Sequence, residues 1–244
     1  MKVLVTGAGS LLMREVAVAL AARGEEVVCM QRREAHFPTG VRIHQELGDI
    51  TNLGAVVKAM DGCEVVVHGA ARVGVLGTWS EFYNTNVVGT QNILSAASTL
   101  GVSRIVHVST PSVAHVGSSL VGAIATPAVT GHKRAFYAES KAMAEIEALN
   151  ANNNSCAVVA IRPHLVWGPG DTQLVGRIVQ RAEANRLAMV GSGDALIDST
   201  YIANAVSALV AAVDAVQVGA SCAGKAYVIA NGEPRTVREL MQKI

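Results

Sequence analysis

Short continuous runs of apolar residues recur along the chain at Val3-Leu4-Val5, Val27-Val28, Val65-Val66-Val67, Ile105-Val106-His107-Val108 and Val158-Val159-Ala160-Ile161. They are unbroken rather than alternating, which predicts strands buried on both faces, as in a parallel sheet. Between them, apolar positions fall at helical spacing over 12–23, 52–60, 80–100 and 136–152. Strand and helix in turn make βα units, and these predict an α/β fold, a Rossmann-type doubly wound parallel sheet. Ligands of such a sheet sit beyond the carboxyl ends of its strands. The polar tract 150–155 reads as a loop at a helix end, not a domain boundary.

After Pro163 the rhythm loosens, with Trp167-Gly168-Pro169-Gly170-Asp171, Gly191-Ser192-Gly193-Asp194 and Asn231-Gly232-Glu233-Pro234 separating shorter elements. The expected division is a dinucleotide-binding domain at 1–165 and a small C-terminal substrate-binding region at 166–244, interleaved with the main sheet. A helix beginning near Thr236 runs off the end at Ile244, so that region reads as truncated.

Candidate chemistry collects where the strands end. The first run leads into Thr6-Gly7-Ala8-Gly9-Ser10-Leu11-Leu12-Met13, a glycine turn opening a helix, whose free N–H groups can hold a pyrophosphate. Turns of this composition also follow buried strands that bind nothing. The second run ends in Cys29-Met30-Gln31-Arg32-Arg33, without an acidic residue for a ribose 2′-hydroxyl. Arg32 suits a 2′-phosphate, favouring NADP with NAD as the other option, unless the arginines are only a solvated pair. Asp49, in Leu47-Gly48-Asp49-Ile50, could accept from an adenine amine or cap the helix near Asn52. Small residues Gly69-Ala70-Ala71 follow His68, which fits a packed core histidine better than a catalyst.

Tyr137 and Lys141 stand at i and i+4 within a predicted helix and so share one face. A tyrosine titrates near 10, and a neighbouring ammonium is expected to lower it toward the range useful for general acid-base work. Ser109-Thr110-Pro111-Ser112 brings hydroxyls to the end of the Ile105-containing run, where they could bond a substrate carbonyl or merely stabilise a turn. The stretch 117–125 is apolar and reads either as a lid over a greasy substrate or as an ordinary surface loop.

Composition narrows the partners. Half of the 244 residues are hydrophobic, 16% are charged and the formal net charge is +1, with Arg32-Arg33 and Lys133-Arg134 the only notable basic runs, which gives no footprint for nucleic acid. A small-molecule partner is expected. The cysteines Cys29, Cys63, Cys156 and Cys222 lie far apart, suggesting neither metal site nor disulfide framework and fitting a reducing cytoplasm. No signal peptide is read at the N-terminus, and the longest apolar candidate, 205–218, is broken by Asp214, so membrane insertion is not expected.

With these motifs in order, the sequence resembles the extended short-chain dehydrogenase/reductase family (the NAD-dependent epimerase/dehydratase superfamily). The likeness is to its 3β-hydroxysteroid dehydrogenase-like branch, and there to the bacterial 2-alkyl-3-oxoalkanoate reductases. It is carried by Asn86-Val87-Val88-Gly89-Thr90-Gln91-Asn92, Ser109-Thr110-Pro111-Ser112-Val113, Tyr137 with Lys141, Arg162-Pro163-His164-Leu165-Val166-Trp167-Gly168-Pro169-Gly170-Asp171, Asp198-Ser199-Thr200-Tyr201-Ile202 and Gly224-Lys225-Ala226-Tyr227. The resemblance implies an NAD(P)-dependent enzyme interconverting a ketone and a secondary alcohol, on an apolar 3-oxo or 3-hydroxy substrate such as a 2-alkyl-3-oxoalkanoate or a sterol. Tyr137 is then the proton donor, Lys141 its electrostatic and ribose-binding helper, and Thr110 the hydroxyl on the substrate oxygen, ahead of Ser109. Cofactor contacts are implied for Leu11, Leu12, Asp49, Ile50, Ala70, Ala71, Asn86, Pro163 and His164, beside Gly7, Gly9, Ser10 and Arg32.

The family's T-G-x-x-G-x-x-G pattern would place glycine at Ser10 and Met13, and here only Gly7 matches, with Gly9 extra. Two rival readings are a sugar-nucleotide epimerase or dehydratase, which would want a carboxylate pair where Pro111-Ser112 stand, and an NADP-sensing binding protein without catalysis. The helices at 80–100 and 136–152 could form the family's homodimer seam or simply cover the sheet.

Overall fold

The computed structural model describes residues 1–243 except 116, 118–119, 133–134, 173–174 and 190. In chain order its elements are β1 (Lys2–Thr6), α1 (Leu11–Ala22), β2 (Glu26–Gln31), β3 (Ile43–Leu47), α2 (Leu53–Met60), β4 (Val65–His68) and α3 (Trp79–Tyr83). A π-turn (Asn84–Val88), α4 (Gly89–Leu100), β5 (Arg104–Val108), a 3₁₀ turn (Pro111–Ala114), α5 (Phe136–Asn150) and β6 (Ala157–Pro163) follow. The remainder comprises β7 (Val166–Trp167), α6 (Val175–Glu183), β8 (Leu196–Ile197), β9 (Thr200–Tyr201), α7 (Ile202–Ala215), β10 (Ala226–Ile229), β11 (Arg235–Thr236) and α8 (Val237–Gln242).

Seven strands form one sheet in the order β10-β6-β5-β4-β1-β2-β3, every neighbouring pair parallel. This is the doubly wound architecture expected, with β10 added beside β6. Successive strand residues point to opposite faces, which explains the unbroken apolar runs. Val3, Val5, Val65, Val67, Val106 and Val159 pack with α1 and α7 through Val16, Leu20, Leu209 and Val213. Leu4, Val28, Val66, Ile105 and Val158 pack on the other side with α2, α4 and α5 through Met60, Ile93, Ala97 and Ala148. Each fully buried Val or Leu contributes about 1.5–3 kcal/mol to these layers.

The helix expected over 80–100 is interrupted by the π-turn. At the start of α4, Gly89 packs closely on Ile50, where a Cβ would lie 2.5 Å from Ile50 Cδ1. Asn86, within this turn, is buried. Helix α8 begins as anticipated, Thr236 and Glu239 forming a capping box. Among the described residues no helix is long and apolar enough to cross a membrane.

Candidate active site

The residues singled out from the sequence fall at the carboxyl ends of consecutive strands. Gly7 to Leu12 follow β1, Arg32 follows β2, Asp49 and Ile50 follow β3, Ala70 and Ala71 follow β4, Thr110 follows β5, and Pro163 and His164 close β6. Backbone bonds tie these ends together: Gly7 N–H donates to Met30 O (2.9 Å), Gly48 N–H to Gln31 O (3.0 Å) and Ser109 N–H to Ile161 O (2.7 Å). One continuous rim results, broken at its outer edge, where Arg32 is exposed and has no ion-pair partner among the described residues.

The glycine turn keeps a tight approach to the loop after β4 and a capped helix start even though two family glycines are replaced. Gly7 adopts φ +82°, and a Cβ there would lie 2.7 Å from Ala70 Cα, so both its conformation and its close approach need glycine. Gly9 faces open space. Ser10 caps α1: its hydroxyl donates to Gly7 O (3.0 Å) and accepts from Met13 N–H (3.4 Å). The first-turn amides of Leu11 and Leu12 stay available for an anion.

Met13 is 1% exposed, and a Cβ on Gly69 would fall 2.2 Å from its sulfur. The small residue that lets α1 approach β4 has thus moved to the other side of the contact, from helix position 13 to Gly69. The thioether fills the seam between helix and strand.

On the opposite half of the rim, Asp49 does not cap α2, a task taken by Asn52, whose side chain accepts from Ala55 N–H. Instead one Asp49 oxygen holds the Thr51 amide and hydroxyl, both at 2.9 Å. Asn86 Oδ1 accepts from Arg72 N–H (2.7 Å), while its amide donates to Arg72 O (3.1 Å) and to Ser140 Oγ (2.9 Å). It braces the loop after β4 against α5 and keeps one oxygen lone pair for a ligand.

Tyr137 and Lys141 lie on the inward face of α5, and neither points into bulk solvent: Tyr137 is half-buried and Lys141 only 4% exposed. Thr110 caps the 3₁₀ turn, its oxygen accepting from Ser112 N–H at 3.3 Å, and lies beside the Tyr137 phenol. The expected lowering of that phenol by Lys141 does not occur. Burial raises the Tyr137 pKa, outweighing the hydroxyl of Thr110 that pulls it down. The reason is where the amine goes: Lys141 Nζ donates to Val108 O (2.7 Å) and lies 3.5 Å from His107 Nε2. Burial lowers Lys141 to about 8, against Glu145, which raises it. At neutral pH the site therefore offers a protonated phenol beside the Thr110 hydroxyl, with a charged ammonium on the same helix held by Val108 O, a disposition for giving a proton to a carbonyl oxygen.

One group of functional weight was not picked out from the sequence, and a second was picked out only in part. Arg162 of β6 donates to both carboxylate oxygens of Glu145, Nε to Oε2 at 2.8 Å, and through Nη1 to Thr126 O (2.7 Å). It fastens the β5–α5 loop to the core beneath the site. An arginine directly after the apolar Ala157-Val158-Val159-Ala160-Ile161 run, still within the strand, and a glutamate four residues beyond Lys141, were the available signs. The second group is the buried pair His68 and His107, side by side on β4 and β5 with ring centroids 5.5 Å apart; His68 is the packed core histidine expected, while His107 was not singled out.

Of the stretch expected as a lid, Ser118 and Ser119 lie outside the described residues, as do Lys133 and Arg134. Leu120, Val121 and Ile124 are exposed. Leu120, Ala123 and Ile124 also line a small cavity of about 50 Å³ with Pro111, Arg162 and His164.

Residues 4–244 match the sequence profile of the 3-beta hydroxysteroid dehydrogenase/isomerase family. The chain is 41% identical to a 2-alkyl-3-oxoalkanoate reductase of Stenotrophomonas maltophilia, covering 100% of this chain and 74% of the relative. It is 36% identical to the enzyme of the same name from Shewanella oneidensis, covering 98% and 64% respectively. Among solved structures it resembles a double mutant of DesIV, a dTDP-glucose 4,6-dehydratase from Streptomyces venezuelae with NAD and DAU bound, with TM-score 0.83 and 25% identity over 100% of this chain and 80% of that one. The chain belongs to the 3-beta hydroxysteroid dehydrogenase/isomerase family of extended short-chain dehydrogenases, and with it to the NAD(P)-dependent oxidoreductases that act on CH–OH groups.

Proposed function

We propose that this chain reduces the ketone of an apolar 3-oxo compound, a 2-alkyl-3-oxoalkanoate or a sterol-like analogue, with NADP as the preferred cofactor and NAD as the lesser one. The observation that carries the reading is the protonated phenol of Tyr137 beside Thr110, with the buried Lys141 on the same helix. When bound, the dinucleotide supplies the hydride. Gly7, Gly9, Ser10, Leu11 and Leu12 would hold its pyrophosphate, Asp49 and Ile50 its adenine, and Ala70, Ala71, Asn86, Pro163 and His164 the remaining length. Thr110 donates a hydrogen bond to the substrate oxygen and Tyr137 gives it the proton. Lys141, anchored by Val108 O, would hold the ribose.

Residues 1–165 serve the cofactor and 166–244 the substrate in this account. The exposed aliphatic side chains of Leu120, Val121 and Ile124 support a lid over a greasy ligand. The dehydratase reading is disfavoured because Pro111-Ser112 supply no carboxylates, and the sensor reading because Thr110, Tyr137 and Lys141 are all present. A reducing, cytoplasmic setting is supported by four unpaired cysteines. A homodimer through α4 and α5 belongs to the same proposal, although both helices already cover the sheet.

The test is NADPH and NADH oxidation against a graded panel of ketones. Highest kcat/KM is expected with NADPH and long-chain 3-oxo acids. Arg32→Ala should shift preference toward NADH by about 10-fold or more, as loss of a charge-assisted phosphate contact implies. Preference for short polar ketones, or no change in the cofactor ratio, counts against these assignments.

A further inference from the structure

A chain of buried hydrogen bonds runs from the end of β1 to the carbonyl of Tyr137. Thr6 Oγ1 lies 2.8 Å from His68 Nδ1 and accepts from the amides of Gly69 (3.2 Å) and Ala70 (3.1 Å). His68 Nε2 lies 3.0 Å from Thr90 Oγ1, which donates to Asn86 O at 2.7 Å. From Asn86 the amide reaches Ser140 Oγ, which donates to Tyr137 O at 3.1 Å.

The directions are fixed by the ends. The Thr90 hydroxyl spends its proton on a carbonyl, so it must accept from His68 Nε2–H. His68 Nδ1 then accepts from the Thr6 hydroxyl, whose lone pairs serve the two amides. A neutral imidazole with one donor and one acceptor is the only form that satisfies every member. Burial of His68 and the nearby Lys141 hold it in that form, its pKa lowered to about 3.

We propose that His68 is a positioning residue that ties the turn before α1, through Thr90, Asn86 and Ser140, to the stretch of α5 bearing Tyr137. The proposal rests on the reading that the turn binds the dinucleotide and Tyr137 gives the proton. Its physical content is that Thr6 and Ser140, 134 positions apart in the sequence, belong to one fully satisfied polar network, so that displacing one end displaces the other.

The experiment compares His68→Leu, His68→Gln, Thr90→Val and Ser140→Ala in the full chain, each at a temperature where circular dichroism shows it folded. NADPH binding is read by fluorescence, and kcat and KM with a 2-alkyl-3-oxoalkanoate by NADPH oxidation. His68→Leu should lower kcat about 10–100-fold through misplacement of the phenol, leave the ketone KM within about 2-fold and weaken NADPH several-fold. His68→Gln, which keeps an N–H for Thr90, should recover most of kcat. Ser140→Ala should lower kcat alone but add nothing on top of His68→Leu, as expected for members of one chain.

Wild-type kcat in His68→Leu, no recovery in His68→Gln, or additive losses with Ser140→Ala would overturn the proposal. If His68→Leu does not fold, unchanged kcat and NADPH affinity in both Thr90→Val and Ser140→Ala would overturn it equally. Tyr137→Phe separates the two levels. If it retains turnover, the site reading itself fails; if it is inactive while His68→Leu is not, only the positioning role fails.

Discussion

Replacing Tyr137 with Phe is expected to lower kcat by about 10²–10⁴-fold, the usual contribution of a positioned general acid, with NADPH affinity nearly unchanged. The phenyl ring keeps the packing of the inward α5 face and removes only the proton-bearing oxygen. Burial keeps that oxygen protonated over the working range, so loss of activity on the alkaline side should report the amine instead. Lys141 carries its charge below about 8 and loses it above, so kcat should fall as pH rises through about 8. Steady-state kinetics from pH 6 to 10 and NADPH titration check both statements. A variant with appreciable turnover would remove Tyr137 from its role.

The second large effect is on stability. Glu145 and Arg162 are 0% and 1% exposed at their side chains, and their pairing satisfies charges that water cannot reach. Glu145→Gln leaves the Arg162 guanidinium buried without a counter-charge, which should cost about 3–5 kcal/mol. For a domain of this size that is a fall in Tm on the order of 10 °C. Exchanging both residues for apolar ones of similar volume should recover much of the loss. It also frees Thr126 O, so the recovered protein should show faster proteolysis within the β5–α5 loop. Urea unfolding with a change below about 1 kcal/mol for Glu145→Gln would show that the pair is not the closed, dry contact described.

Most of the architecture was legible because it rests on local patterns. Unbroken runs such as Val65-Val66-Val67 can satisfy both faces of a strand only in a covered parallel sheet, and the site residues then follow from the strand ends. What was not legible depends on contacts between distant positions. The close packing of Gly89 on Ile50 beside the π-turn, and of Met13 on Gly69, joins positions far apart in the chain; neither is encoded by spacing within one segment. The electrostatics of Tyr137 and Lys141 failed for a similar reason. Helical spacing puts both on one face but does not say that the amine will turn to Val108 O and His107.

The central claim is that hydride reaches a substrate carbonyl whose oxygen takes its proton from Tyr137. The most direct test is a single-turnover reaction of a 2-alkyl-3-oxoalkanoate with NADPH deuterated at both C4 positions, read by mass spectrometry of the product. The account predicts one deuterium at the new carbinol carbon with the native protein and none above background with Tyr137→Phe. Equal label from both proteins, or no label from the native protein when NADPH is bound, would contradict it.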